Sequence, residues 1–260
     1  SVTYSGWGRK DVVGPNTYTG GTVVDLGQVY VRNNRSAFGT GDVTIKAGGQ
    51  VFAQDVNLTN NFLLSSAATT QGVGLGGIRL DNAIASGTVT LVNDAQISSN
   101  SIGIVTGQIT GSGALLKLGN GSLLLTNQGN NYTGGTVVTG GTLMGRGNAA
   151  FGANVAGNDI YISAANGTGG ALVLSTPGSV GSNQRITLNV NDPNHAAAIG
   201  FGAGYGDLSG IRFFSPLDSP GGELGGSNIY LTDQAGLVGR MAIQATDGVR
   251  FSRDFAAEIS

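Results

Sequence analysis

The stretch Asn16-Thr17-Tyr18-Thr19-Gly20-Gly21-Thr22-Val23-Val24 returns as Asn130-Asn131-Tyr132-Thr133-Gly134-Gly135-Thr136-Val137-Val138, 114 positions further on. The likeness extends beyond these nonamers. Ala37-Phe38-Gly39 is matched by Ala150-Phe151-Gly152, and Gly41-Asp42-Val43-Thr44-Ile45 by Asn158-Asp159-Ile160-Tyr161-Ile162. Internal repetition of this kind decides architecture before any single motif does. Each copy combines a short β-branched run with a glycine pair, which is a strand joined to a tight corner.

Similar runs recur along the chain, among them Val29-Tyr30-Val31, Thr88 to Val92, Ser122 to Thr126 and Arg185 to Val190. Glycine or asparagine breaks almost every window long enough for a helix, so the chain reads as all-β. Strands this short coil economically into a parallel β-helix, each coil stacked about 4.8 Å above the last. The repeat places the two Tyr-Thr-Gly-Gly-Thr segments at like positions of their coils. Corners take Gly or Asn because φ is often positive there, and stacked corner asparagines are expected to bond amide to amide. At ~20 to 25 residues per coil the chain makes roughly a dozen coils, a rod of about 50 to 60 Å. A β-sandwich is the competing fold and requires antiparallel hairpins.

Glycine numbers 47 of 260 residues, against an average usage of about 7%. Charged residues are 11% of the chain, and 15 acids against 13 bases leave a net charge of −2, so no basic stripe exists to engage nucleic acid. No apolar run of helix-spanning length occurs, so no direct membrane insertion of this segment is expected. Cysteine is absent, which removes disulfides and thiolate metal sites. Ser1 to Asp11 has neither an initiator Met nor a signal core, so the chain reads as a segment of a longer polypeptide that continues at both ends. The organisation expected is a first β-helix repeat copy over 1–110, a second over 111–200, and a charged, aromatic-richer tail over 201–260. That tail is a cap, diverged coils or the start of a further module.

The repeat blocks, with Leu115-Leu116-Lys117-Leu118-Gly119-Asn120-Gly121-Ser122-Leu123 and Gly140-Gly141-Thr142-Leu143, resemble the autotransporter-associated β-strand repeat, also called the passenger-associated transport repeat. The resemblance covers about 1–50 and 108–175. It implies a right-handed β-helical passenger segment of a Gram-negative surface protein exported by type V secretion, the repeat helping the passenger fold as it emerges. Its motif residues here are Asn16, Tyr18, Gly20 and Gly21, and Asn131, Tyr132, Gly134 and Gly135. The first copy departs from the pattern: Leu26-Gly27-Gln28-Val29 stands where Gly-Gly-Thr-Leu belongs, and Arg9, Lys10 and Asp11 replace the leucine strand.

Catalytic equipment is sparse. His195, the sole histidine, follows the turn sequence Asn191-Asp192-Pro193-Asn194 and reads as an exposed loop residue. Gly72-Val73-Gly74-Leu75-Gly76-Gly77 fits a dinucleotide fingerprint in spacing but lacks the flanking strand and helix. Asn-rich 189–194 and Gly202 to Asp207 lack calcium-loop spacing. No cofactor and no metal is expected. Carbohydrate chemistry is the enzymatic rival: Asp207, Asp218 and Glu223 are a weak candidate set for a polysaccharide hydrolase or lyase, which needs paired carboxyls. Trp7, Tyr18 and Tyr132 could stack on sugars, although a tyrosine inside a repeat core is better explained by packing. The sequence therefore points to a non-catalytic extracellular spacer or adhesin. Its expected partners are a host or matrix protein or glycan, or other copies of itself through sticky end coils.

Overall fold

The computed structural model describes residues 1–65, 77–165, 168–174, 180, 183–184, 186–190, 198–201, 213–214 and 230–233. Among the described residues there is no helix, and so none long and apolar enough to cross a membrane. Strands stack in parallel ladders that wind as a three-faced solenoid. The first ladder carries the row Val2, Thr22, Val43, Phe62, Val89 and Ile109. The second carries Lys10, Val29, Val51, Ile78, Ile97, Lys117, Val138, Ile162 and Leu188. The third carries Leu58, Ala85, Val105, Leu125, Gly145 and Leu174.

The interior follows from strand alternation. In Thr22–Arg32, residues Val24, Val29 and Val31 point inward and are fully buried, while Val23 and Tyr30 between them face out. The same alternation repeats in Val43–Gln54 and Gly77–Asp81, so one continuous apolar core runs through the described coils. Parallel pairing throughout these ladders overturns the sandwich alternative. Among the described residues a single hairpin, Ala164 against Gly169 and Ala165 against Thr168, departs from it at one corner.

Three expectations need correction. The second ladder is ten strands deep, from Arg9–Asp11 to Phe213–Phe214, with seven of them before residue 150. The described coils thus fall short of a dozen, because coils such as Gln50 to Gly77 run longer than expected. Corner asparagines bond backbone groups of adjacent coils in place of stacking amide on amide: Asn34 Nδ2 donates to Gly14 O (2.7 Å) and Asn60 Nδ2 to Gly41 O (2.9 Å). An in-register amide pair exists on a strand face instead, where Gln28 Nε2 donates to Gln50 Oε1 (2.6 Å).

The third correction concerns the repeat itself. The copies keep the same local bonds but sit on different faces. Thr22–Val24 stacks on Val2–Tyr4 in the first ladder, whereas Thr136–Val138 stacks on Leu115–Lys117 in the second. Between the copies the chain has wound a fraction of a coil beyond a whole number of turns. Each face offers an incoming strand the same ladder of N–H and C=O groups, so the motif fits either one.

At two corners the backbone decides the residue. Gly39 lies at φ +59° against the Tyr18 carbonyl, and Gly152 at φ +86° against the Tyr132 carbonyl; a Cβ at either would meet that oxygen. A further corner is built from non-glycine residues with positive φ on successive coils: Asn33 (+53°), Asp55 (+53°) and Asn82 (+50°). Short polar side chains tolerate this conformation.

Candidate functional site

The motif residues are corner and core parts. Asn16 Nδ2 donates to Ala37 O (2.7 Å), and Asn130 Nδ2 donates to Ala150 O (2.8 Å). Asn130 also accepts from the Ile109 amide through Oδ1 (2.8 Å), so one side chain joins three coils. The anchoring asparagine of the second copy is therefore Asn130; Asn131 beside it points to solvent. Tyr18 and Tyr132 each meet a threonine hydroxyl four residues on, Thr22 at 2.7 Å and Thr136 at 2.6 Å. Tyr132 is fully buried, and that burial raises its phenol well above the ordinary value, the Thr136 bond opposing in part. It offers no face to a ligand. Gly21 (φ +80°) and Gly135 (φ +92°) turn the corner into each strand, and Gly20 and Gly134 let the adjacent backbone approach.

In the second ladder's inward row Lys117 stands between Ile97 and Val138, with a relative exposure of 0%. Its Nζ donates to Leu118 O (2.9 Å), Gly119 O (3.0 Å) and Gly140 O (2.8 Å), the last in the next coil. Leu118 O also accepts from the Ser99 amide (3.2 Å), so the ammonium's main service is to the corner carbonyls of Gly119 and Gly140. Desolvation lowers the ammonium pKa from 10.5 to about 8.

The surface feature that stands out lies on the outward side of the second ladder. Tyr30, Phe52 and Arg79 are in register on consecutive coils. The two rings lie 4.9 Å apart, the Arg79 guanidinium sits 4.1 Å over Phe52, and Arg9 sits 3.6 Å over Tyr30. Each guanidinium along this face has a carboxylate: Arg9 with Asp11 (2.6 Å), Arg32 with Asp55 (3.1 Å) and Arg79 with Asp81 (2.5 Å). Tyr30 Oη donates to Gln54 Oε1 (2.6 Å). At one edge stands Trp7, 65% exposed, on a corner whose glycines Gly6 and Gly8 both have positive φ. That corner is pinned by Lys10 Nζ donating to Gly6 O (2.5 Å) and the Gln28 amide donating to Gly8 O (2.9 Å).

Sequence reasoning singled out Trp7 but missed Tyr30, Phe52 and Arg79, which come together only through the winding. Asp207, Asp218, Glu223 and His195 lie outside the described residues, as do Gly72 to Gly76, Asn191 to Asn194 and Gly202 to Asp207. Among the described residues no three His, Cys, Asp or Glu side chains group as a metal site.

The chain has a relative among known proteins. It is 34% identical over 140 residues to the adhesin BmaC autotransporter of Brucella suis biovar 1 (strain 1330). That relative is an autotransporter adhesin. The matched stretch is 53% of this chain and only 4% of the relative's length. No protein-family model matches the chain, and no solved structure matches it. A parallel β-solenoid similar in sequence to an autotransporter adhesin fits an autotransporter passenger.

Proposed function

We propose that this chain is a non-catalytic adhesion segment of an autotransporter-type passenger, displayed at the bacterial surface or secreted. It serves as a rigid β-helical spacer that assists the passenger's folding during export. The observation that carries this reading is the continuous parallel ladder in a chain similar to an autotransporter adhesin. Ladder bonds between coils make stiffness a property of the whole stack, since bending must strain several of them together. Each new coil also finds its template in the previous one, which suits a chain that emerges end first. Paired charges and motif residues used for packing support a structural role over a chemical one.

The test coats beads with the chain and measures their attachment to host epithelial cells and to matrix-coated wells, while a polysaccharide panel is assayed for released reducing ends. Saturable attachment without depolymerisation is expected. Depolymerisation that disappears in Glu223→Gln would instead establish the enzymatic alternative.

A further inference from the structure

Resting on the adhesion reading, we infer that the outward face carrying Trp7, Arg9, Tyr30, Phe52 and Arg79 is a binding strip for an uncharged glycan laid along the solenoid axis. Three observations specify this occupant. First, the face is aromatic yet strongly hydrogen-bonding. The well-exposed indole of Trp7 offers an apolar face to the C–H groups of a sugar ring, and partly exposed Tyr30 and Phe52, whose faces are covered by the guanidinium groups and by each other, extend that surface with their ring edges. The guanidinium–carboxylate pairs offer donors and acceptors side by side, as hydroxyl groups require. Second, the charges cancel in pairs. An anionic polymer would have to displace Asp11 or Asp81 from its arginine, and a cationic one would have to do the reverse. Third, these residues lie on a sheet face whose backbone groups are already used in the ladder. A peptide cannot add as a further strand there. Four consecutive levels span roughly 14 Å, room for a short run of sugar units.

The strip is also set in place before any ligand arrives. Arg79 is held by both Phe52 and Asp81, Arg9 by both Tyr30 and Asp11, and the Trp7 corner by two hydrogen bonds. Little ordering remains to oppose binding.

Trp7 is the chain's single tryptophan, so its emission reports on this strip alone. The full chain is titrated with hexamers of glucose, mannose and N-acetylglucosamine, with heparin, and with phosphatidylcholine vesicles. Trp7→Ala and Arg79→Gln are compared by calorimetry after circular dichroism confirms the fold. The strip predicts that at least one uncharged hexamer shifts the emission saturably. It predicts less than about a twofold change in affinity between low and high salt, and a loss of roughly fivefold or more in each variant. The proposal is overturned if no uncharged hexamer moves the emission, if both folded variants bind like the parent, or if only heparin or vesicles respond. Bead attachment separates the two readings. Attachment that persists in both variants leaves adhesion standing and removes the strip, whereas a parent chain that never attaches removes adhesion even if a hexamer binds.

Discussion

Replacing the repeat asparagine in each copy, Asn130→Ala and Asn16→Ala, should have unequal consequences although the motif around them is the same. Asn130 is 2% exposed and holds the Ile109 amide below it and the Ala150 carbonyl above it, both within the core. Truncation strands one buried donor and one buried acceptor, at about 1–3 kcal/mol each, so a loss of roughly 2–6 kcal/mol is expected. Asn16 is half-buried and, among the described residues, makes the single bond to Ala37 O, so its loss should cost about 1 kcal/mol. The assay is native-state hydrogen exchange read at the Ile109 amide, together with urea denaturation. A local loss of about 3 kcal/mol accelerates that amide by roughly two orders of magnitude, at 1.4 kcal/mol per factor of ten. Asn16→Ala should leave it unchanged. Equal denaturation midpoints for the two variants, or an Ile109 amide still protected in Asn130→Ala, would refute the argument that the side chain staples three coils.

Other consequences follow from single positions. Lys117 titrates from about 8 when folded and near its ordinary value of 10.5 when unfolded. Between these values the unfolded chain binds the extra proton, so stability rises with pH, by roughly 2 kcal/mol from pH 8 to 9.5. Denaturation series of the parent and Lys117→Met should differ by this slope, and parallel pH profiles would contradict it. Ala149 lies at φ +51°, a left-handed conformation that costs a Cβ-bearing residue about 1–2 kcal/mol, so Ala149→Gly should stabilise by about 0.5–1 kcal/mol despite its greater unfolded-state entropy. In Gly145→Ala the new methyl would meet the Phe151 ring and the Ala150 side chain, and a loss of about 1–3 kcal/mol is expected.

The coiled architecture was legible because its requirements are local. Gly21, Gly135 and Gly39 mark corners by residue type, and Val23-Val24 or Val137-Val138 mark strands by branching. What depended on winding was not legible. Tyr30, Phe52 and Arg79 are spaced by 22 and then 27 residues, so no fixed period aligns them. The rotation of the second copy onto another face has the same origin, because uneven coils add up to a non-integral number of turns. Lys117 was hidden by its neighbours: in Leu115-Leu116-Lys117-Leu118 both parities are apolar, and alternation cannot say which residues face in. The structure turns Leu115 and Lys117 inward and leaves Leu116 and Leu118 outward, because the three corner carbonyls satisfy the ammonium. Asn130 and Asn131 posed the same ambiguity, and adjacent residues of an extended segment point opposite ways.

Parallel stacking in register is the claim on which all of this stands, and a cysteine-free chain allows it to be tested by crosslinking. Val23 pairs with Thr44 in the first ladder and Val137 with Tyr161 in the second, all four side chains outward and equivalent within the repeat. Neighbouring strands bring such pairs to about 4.8 Å, within disulfide reach. The double variants Val23→Cys/Thr44→Cys and Val137→Cys/Tyr161→Cys should each oxidise within one molecule while the chain stays folded. Folded variants that leave both pairs reduced, or that link only between molecules, would contradict the solenoid.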